Sequence, residues 1–379
     1  MPLVSPAAPR VPRMRLLWRP AGRDATVLLG GGAVARVAVD AQGADLGPAE
    51  VAAGVREAAA AGVGCLVFGP AAEIEPELAR APTGNVEVVD SPVWISNSEE
   101  PAGAVRSKRD ASVVRAAAAV AEGRAAALVT PGSTGAALAA GLLTLKRMPG
   151  VYRPGLAVLL PVPGRPVLLL DVGATVEVRA EQLVQFAFMG AAFMRGLMGL
   201  EQPRVGLLNV GEEPEKGTPV AAEAHALLRA LEAPPFEFAG NVEGGGVTSG
   251  AADVVVTDGF TGNVALKLME GTTRTLVDAI RSAIRAGTVS KIGGLLIRGR
   301  LGELRSRLDP ETVAGAYLLG LRAPLVVCHG SSTRRSIANA IALADRAVEE
   351  DVVGRTGAAL AAAGVTRSVS VPADTLGAR

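Results

Sequence analysis

The stretch Val254-Val255-Val256-Thr257-Asp258-Gly259-Phe260-Thr261-Gly262-Asn263 decides the fold class of this chain. Its three β-branched residues predict a strand buried on both faces, and the turn after them opens a helical pattern that runs from Asn263 to Ala286. The same rhythm of apolar run, Gly-rich turn and Ala/Leu-rich helix repeats from residue 36 onward. Such alternation predicts an α/β fold, an open and mainly parallel sheet sandwiched by helices.

The individual elements follow from the same two patterns. Strands are predicted at Arg36–Val39, Cys65–Phe68, Val86–Val89, Ala127–Val129, Leu156–Leu160, Val167–Leu170, Val205–Val210, Phe236–Ala239, Val254–Val256 and Leu325–Cys328. Helices are predicted at Ala49–Ala61, Ser112–Ala121, Gly135–Lys146, Ala180–Met198, Pro219–Leu231 and Asn263–Ala286. We expect a disordered extension at 1–35, a single α/β domain at 36–350 with a helical hairpin at about 275–310, and a C-terminal helix and tail at 351–379.

The bulk composition argues against several classes of protein. Lys and Arg (38) nearly balance Asp and Glu (37), so no overall field favours nucleic acid. The chain has two cysteines, Cys65 and Cys328, both in apolar runs, which indicates reduced thiols in a cytoplasmic protein. With only two histidines and no Cys/His cluster, no metal site is expected. No apolar run reaches the ~18 residues that cross a bilayer.

Gly-rich turns directly follow four of the predicted strands. Glycine exposes backbone N–H groups, and a helix N-terminus carries partial positive charge, so such turns can hold phosphate. The plainer interpretation is that tight strand–helix turns need glycine anyway. If the four turns converge on one edge of the sheet, the candidate phosphate- and substrate-binding residues are Asp40, Gly43, Gly132, Ser133, Thr134, Gly135, Gly211, Asp258, Gly259, Thr261 and Gly262.

Nucleotide cofactors are not supported. A P-loop needs Lys after its second Gly, whereas Lys216 precedes Gly217. A dinucleotide fingerprint needs Gly-x-Gly-x-x-Gly after the first strand, and Gly30–Gly32 lies before it. The chain also lacks a Gly-x-Ser-x-Gly elbow. An acyl-transfer enzyme with these features would use phosphate itself as the nucleophile, since phosphate is already an oxyanion at neutral pH.

Three side chains have both a functional and a structural interpretation. Lys216 can hold phosphate or polarise a carbonyl, or it is a solvated charge among glutamates. Asn263 is a substrate donor or a helix N-cap. His329 is a general acid for a departing thiolate or a structural histidine.

Two basic segments remain. Arg106, Lys108 and Ser112 form a loop that can attract an acidic partner or phosphate, although a solvated charge run is commoner. In residues 286–308, apolar and basic residues interleave around several glycines, which predicts a helix–tip–helix hairpin. We expect dimer packing along its flanks and membrane contact at Ile292–Ile297. The pattern residues are Ile297, Leu301, Leu304, Leu308, Arg298, Arg300, Arg305 and Arg307.

Taken in order, the motifs resemble the bacterial phosphate acyltransferases of phospholipid synthesis, the PlsX family, over about residues 36–350. The matching motifs include Asp40-Ala41…Gly43…Asp45…Gly47-Pro48, Gly132…Thr134-Gly135-Ala136, Asp171-Val172-Gly173-Ala174, Asn209-Val210-Gly211-Glu212, Gly240-Asn241-Val242-Glu243, Thr257-Asp258-Gly259-Phe260-Thr261-Gly262-Asn263 and His329-Gly330-Ser331-Ser332. Many ordered motifs make this resemblance specific.

The resemblance implies a fold shared with isopropylmalate dehydrogenases and phosphotransacetylases, with a protruding amphipathic helical hairpin. It implies transfer of an acyl group from acyl-[acyl-carrier protein] to inorganic phosphate, without a cofactor, by a homodimer. The product would feed a membrane-bound glycerol-3-phosphate acyltransferase. The family's active-site lysine and asparagine fall on Lys216 and Asn263, and its hairpin, linked to membrane association, falls on 286–308. A cytoplasmic location with peripheral membrane contact follows.

The sequence also departs from the family pattern. In the first motif, Gln42 and Ala44 stand where the family has Met and Gly, and in the second, Pro131 and Ser133 stand where it has Ala and Asn. Thr175 replaces the family's Asn after Gly173-Ala174, and Ala111 replaces a Ser near the basic loop. These departures leave two other hypotheses open. One is a short-chain, coenzyme A-dependent phosphotransacetylase-like enzyme, and the other is a non-catalytic membrane-associated scaffold.

Overall fold

The computed structural model describes residues 28–29, 33–34, 36–162, 166–299, 302 and 315–366. Its strands are β1 (Leu28–Leu29), β2 (Ala33–Val34), β3 (Arg36–Asp40), β4 (Gly64–Gly69), β5 (Val86–Asp90), β6 (Ala127–Thr130), β7 (Gly155–Leu160), β8 (Val167–Leu170), β9 (Arg204–Leu208), β10 (Glu237–Val242), β11 (Val254–Val256), β12 (Ala316–Leu319) and β13 (Leu325–Val327).

Its helices are α1 (Pro48–Ala60), α2 (Ala71–Leu78), α3 (Pro101–Ser107), α4 (Ser112–Ala121), α5 (Thr134–Ala140), α6 (Ala180–Met198), α7 (Pro219–Arg229), α8 (Gly244–Ser249), α9 (Gly259–Arg285), α10 (Thr288–Leu296), α11 (Arg334–Glu349) and α12 (Val352–Ala362). A π-helical turn, Gly141–Leu145, follows α5. Pro48 and Pro219 occupy first-turn positions, where the missing N–H of proline costs nothing.

An eleven-stranded sheet organises the described residues, in the order β10-β9-β11-β8-β7-β12-β13-β6-β3-β4-β5. The strands from β10 to β8 pair in parallel, and so do the strands from β13 to β5. Between these two sets, β7 pairs antiparallel with β8 and with β12, and β12 pairs antiparallel with β13. The predicted open and mainly parallel sheet is confirmed.

The three antiparallel pairings reverse the direction of the second parallel set relative to the first. The carboxyl ends of β3, β6 and β13 therefore leave one edge of the sheet, here called edge I, with its loops 41–47, 131–133 and 328–333. The carboxyl ends of β8, β9, β10 and β11 leave the opposite edge, here called edge II, with its loops 171–175, 209–218, 243 and 257–258. Since ligand sites in open α/β sheets lie at strand carboxyl ends, the reversal divides the candidate residues.

Both faces of the sheet are covered. Alternate residues of β3 point to opposite sides, Val37 and Val39 to one apolar cluster and Ala38 to the other. The first cluster includes side chains of α1, α6 and α11, and the second includes those of α4 and α5. Small residues dominate the second cluster, which lets these helices approach the strands closely.

Most predicted elements appear with ends shifted by a few residues. Strand β12 was not predicted, nor were helices α2, α3, α8 and α11. Helix α9 begins at Gly259, four positions before the predicted start at Asn263. Val210 lies beyond β9, which ends at Leu208. Within residues 1–35, β1 and β2 form a short antiparallel pair.

Helices α9 and α10 contact each other through a turn at residues 286–287. They expose Leu268, Leu276, Val289, Leu295 and Leu296, each with at least 59% of its surface open. No helix in the described ranges is both long enough and apolar enough to cross a membrane. The pattern positions Arg300, Leu301, Leu304, Arg305, Arg307 and Leu308 lie outside the described residues.

Candidate functional site

At edge I, Asp40 is the last residue of β3 and its side chain is buried. Its Oδ2 accepts a hydrogen bond from Thr130 Oγ1 at 2.8 Å, and its Oδ1 accepts one from the Gln42 N–H at 3.1 Å. Burial raises the pKa of Asp40 to about 6. A shallow cleft opens beside it, lined also by Trp94 and Ser133. A buried carboxylate at its floor repels phosphate, so this cleft is a poor phosphate site.

Close backbone contacts hold edge I together. A β-carbon on Gly43, which has φ +81°, would lie 2.8 Å from Gly132 Cα. The Asp45 N–H donates to the Gly330 carbonyl at 2.8 Å, which ties the loop after β3 to the loop after β13. The two predicted turns at Asp40 and Thr130 therefore do meet, and the His329 loop joins them.

The other edge I candidates have local structural roles. Ser133 is the N-cap of α5 and accepts from the Ala136 N–H at 3.5 Å, Thr134 begins that helix and is exposed, and Gly135 packs against Pro101. The His329 Nδ1 accepts from the Ser331 N–H at 3.2 Å, while the ring is exposed.

The basic loop lies on the same half of the sheet. Arg106 is in the last turn of α3, and Ser112 begins α4 with its side chain buried. The Lys108 ammonium forms an ion pair with Glu99 at 2.6 Å. One of the two named cations is thus already paired, which weakens this loop as an anion site.

At edge II, the turn after β8 closes on a buried carboxylate. Asp171 Oδ1 accepts from the backbone N–H groups of Leu156 (2.8 Å), Gly173 (3.0 Å) and Ala174 (3.0 Å), and its Oδ2 accepts from Thr175 N–H at 2.6 Å. Burial raises the pKa of Asp171, and these hydrogen bonds to the ionised form counteract the rise. Asp171 belongs to one of the matching motifs, and the sequence pattern predicts no role for it.

Helix α9 begins beside that turn. Its N-cap is Asp258, whose carboxylate accepts from the Thr261 N–H at 2.8 Å and the Thr261 hydroxyl at 2.7 Å. The N-cap interpretation of Asn263 is therefore wrong. Asn263 is exposed, and its Nδ2 donates to the Val172 carbonyl at 3.0 Å. Asn263 Oδ1 remains available on the surface of edge II.

Lys216 lies in a turn that two asparagine amides fasten. Asn209 Nδ2 donates to the Lys216 carbonyl at 2.9 Å, and Asn241 Nδ2 donates to the Glu213 carbonyl at 2.6 Å. Gly211 is buried at the base of this turn. A β-carbon added to Gly211 would lie 3.0 Å from Lys216 Cγ, so the Lys216 side chain passes close to it. Among the described residues, no side chain pairs with the Lys216 ammonium, which is exposed.

The expectation that all four Gly-rich turns converge on one edge is wrong. Edge II brings together the loops that carry Lys216, Gly211, Asp258 and Asn263, because β9 and β11 are neighbours. Gly259, Thr261 and Gly262, in the first turns of α9, also lie at edge II. Edge I carries the other candidates, Asp40, Gly43, Gly132, Ser133, Thr134, Gly135 and His329. The pattern of residues does not predict the reversal, because it depends on the antiparallel pairing of β12, a strand absent from the sequence-based prediction.

The departures at Gln42 and Thr175 fit structural roles. Gln42 Nε2 donates to the Pro92 carbonyl at 3.0 Å. The buried Thr175 hydroxyl donates to the Pro154 carbonyl at 3.2 Å. Both side chains thus serve the backbone around them.

The fold defines a class of protein. The chain is similar to the EutD phosphotransacetylase from Staphylococcus aureus, with a TM-score of 0.54 and 16% sequence identity over 83% of this chain and 94% of that one. It is similarly close to a phosphotransacetylase from Streptococcus pyogenes, with a TM-score of 0.55 and 16% identity over 83% and 94% of the two chains. At such low identity the likeness establishes the open α/β fold.

Sequence relatives define the family. A family model described as "Fatty acid synthesis protein" matches residues 35–355. The phosphate acyltransferase of Oceanobacillus iheyensis is 41% identical over 319 residues, which are 84% of this chain and 95% of the relative. That of Gloeobacter violaceus is 41% identical over 324 residues, with the same coverage of 84% and 95%. The chain belongs to this fatty acid synthesis protein family. It is an acyltransferase enzyme, as its relatives are.

Proposed function

We propose that the chain transfers the acyl group of acyl-[acyl-carrier protein] to inorganic phosphate at edge II. A phosphate oxygen attacks the thioester carbonyl carbon, the C–S bond breaks, and the thiolate leaves with the carrier and takes a proton from solvent. Acyl phosphate and the free carrier thiol are the products. The names of the relatives support phosphate as the acceptor.

The observation that carries this proposal is the ammonium of Lys216, which pairs with no described side chain and lies on a turn held at two carbonyls. Strand β9, before this turn, is the neighbour of β11, which leads into α9. A fixed positive charge and the helix dipole both stabilise phosphate and the oxyanion that forms on the thioester. Such stabilisation requires a turn that is already in place, which the two asparagine amides provide.

The cysteines support a mechanism without a protein nucleophile. Both thiols are buried, and burial raises the pKa of Cys65 and of Cys328 to about 12. At neutral pH they therefore remain protonated and unreactive. No described group of His, Cys, Asp and Glu side chains is arranged to hold a metal ion.

A thiol-release assay tests the proposed reaction. Pure protein is incubated with palmitoyl-[acyl-carrier protein] or acetyl-coenzyme A, each with and without phosphate, and free thiol is measured. Phosphate-dependent release from the carrier protein is expected. If thiol is released from acetyl-coenzyme A and not from the carrier protein, the short-chain enzyme is favoured. The likeness in fold to phosphotransacetylases is the reason to test this donor. No release from either donor, with vesicle binding retained, would favour the scaffold.

The exposed apolar face of α9 and α10 supports a homodimer and contact with a membrane surface. A second copy covering Leu268 and Leu276, with Leu295 and Leu296 against lipid, would account for this exposure. Acyl phosphate delivered at a membrane would suit a membrane-bound glycerol-3-phosphate acyltransferase. The location that fits this arrangement is the cytoplasm, with peripheral contact between the enzyme and the membrane.

Two measurements separate these contacts. Leu268→Lys should shift the sedimentation coefficient of the protein from dimer to monomer. Leu295→Ser with Leu296→Ser should reduce co-sedimentation with anionic phospholipid vesicles and leave the dimer intact. Unchanged sedimentation of both variants would contradict both contacts.

A further inference from the structure

The turn that Asp171 closes is bonded to the first turns of α9 at two points. The Gly259 N–H donates to the Thr175 carbonyl at 2.8 Å, and Asn263 Nδ2 donates to the Val172 carbonyl at 3.0 Å. The position of the Asn263 amide therefore depends on where this turn lies.

Close packing leaves that turn little freedom. A β-carbon on Gly259 would lie 2.8 Å from Asp171 Oδ2, and one on Gly262 would overlap the Asp171 carbonyl oxygen. Helix α9 thus sits directly on Asp171, and both of these glycines are buried. A shift of the turn is transmitted to the helix because there is no gap between them.

We propose that Asp171 is a positioning residue for the acyl-transfer reaction, acting through Asn263. This inference rests on the proposed function. The carboxylate does not reach solvent, since its side chain is fully buried. Instead it fixes the 171–175 turn, the turn fixes the amide nitrogen of Asn263, and the exposed Asn263 side chain is thereby held in place at edge II.

An amide cannot replace this carboxylate. Asp171 uses both oxygens as acceptors, one for three N–H groups and the other for Thr175 N–H. In Asp171→Asn one oxygen becomes an NH2 donor, so at least one backbone N–H loses its acceptor and the turn moves. A displacement of about 1 Å at a reacting group lowers turnover about 100-fold.

The experiment compares Asp171→Asn, Asn263→Ser and the double variant in the thiol-release assay with acyl-[acyl-carrier protein] and phosphate. Asp253→Asn is the matched control. Asp253 is a buried carboxylate that precedes β11 and binds Arg204 at the opposite end of the same strand set. Melting temperatures of all variants are recorded.

We expect kcat of Asp171→Asn to fall roughly 10- to 100-fold with KM for phosphate changed less than about threefold. In the double variant, the turnover should match that of Asn263→Ser alone, because both changes act on the same group. Asp253→Asn should lower the melting temperature and keep most of kcat.

Three outcomes would overturn the inference. Asp171→Asn could keep the kcat of the parent, or the double variant could lose kcat by the product of the two single losses. In the third, Asp253→Asn would lose as much kcat as Asp171→Asn. If the parent chain itself released no thiol in response to phosphate, the proposed function would fail instead.

Discussion

The side-chain amide of Asn209 fills the space that a side chain on Gly217 would need. Gly217 has φ +90°, and a β-carbon there would overlap Asn209 Oδ1. We expect Gly217→Ala to displace the Lys216 turn and to lower kcat/KM for phosphate by at least tenfold. Gly245→Ala, where no atom lies within 4 Å of the new β-carbon, is the control and should retain activity. Equal activity of the two variants in the thiol-release assay would contradict the role of this turn.

Lys216 itself should matter for catalysis and little for stability. Its ammonium has no partner among the described side chains, so Lys216→Ala breaks no ion pair or side-chain hydrogen bond there. We expect kcat/KM to fall by on the order of 100- to 1000-fold, as for loss of one oxyanion-stabilising group. The melting temperature should stay within a degree or two of the parent. Lys267→Ala, which removes an exposed lysine paired with Glu270, is the matched control, and a parent-like rate for Lys216→Ala would remove this residue from the mechanism.

Asp40 should make the stability of the fold depend on pH. Its pKa is about 6 in the folded protein against an ordinary 3.8, because burial disfavours its charged form. The fold therefore favours the protonated carboxyl of Asp40. The stability that this proton contributes is fully present below about pH 4 and is lost as the pH rises through about 6. In Asp40→Asn this loss is absent, so the free energy of unfolding of the variant, relative to that of the parent, should rise by about 2 kcal/mol between about pH 4 and pH 7. Urea unfolding of both proteins at the two pH values measures the change, and a constant difference would contradict it.

Gly43 should tolerate a side chain less well than another glycine of positive φ. Gly43→Ala combines φ +81° with a contact of 2.8 Å to Gly132 Cα, whereas Gly250 has φ +76° and open space around it. Both substitutions carry the cost of a left-handed alanine, about 1–2 kcal/mol. We expect Gly43→Ala to be less stable than Gly250→Ala by a further ~1–3 kcal/mol, from overpacking. Chemical denaturation measures both, and equal losses would show that the two loops of edge I can separate.

The sequence predicted those strands and helices that depend on neighbouring residues alone. The run Val254–Val256 and the turn after it gave β11 and the start of α9 within four residues, because a fully apolar run and a Gly/Asp turn have few alternatives. Helices Ser112–Ala121 and Ala180–Met198 were predicted to the residue.

The order and direction in which distant strands pair could not be predicted from such local patterns. Strand β12 has an ordinary apolar sequence, and nothing in it specifies that it runs antiparallel between β7 and β13. The division of the candidate residues between two edges depends on that pairing. Similarly, the sequence does not distinguish the roles of Asp258 and Asn263. The hydrogen bond from Thr261 to Asp258 and the one from Asn263 to Val172, 91 positions away, do so.

The reversal at β7 and β12 also bears on how this enzyme could be altered in the laboratory. Loops 41–47, 131–133 and 328–333 form one set in contact at edge I, and loops 171–175 and 257–258, hydrogen-bonded to each other, form a second set at edge II. Each set can therefore be exchanged with that of a relative as a single cassette. Chimeras made in this way would keep every backbone bond within a set, and they would reveal which cassette carries the choice of acyl donor.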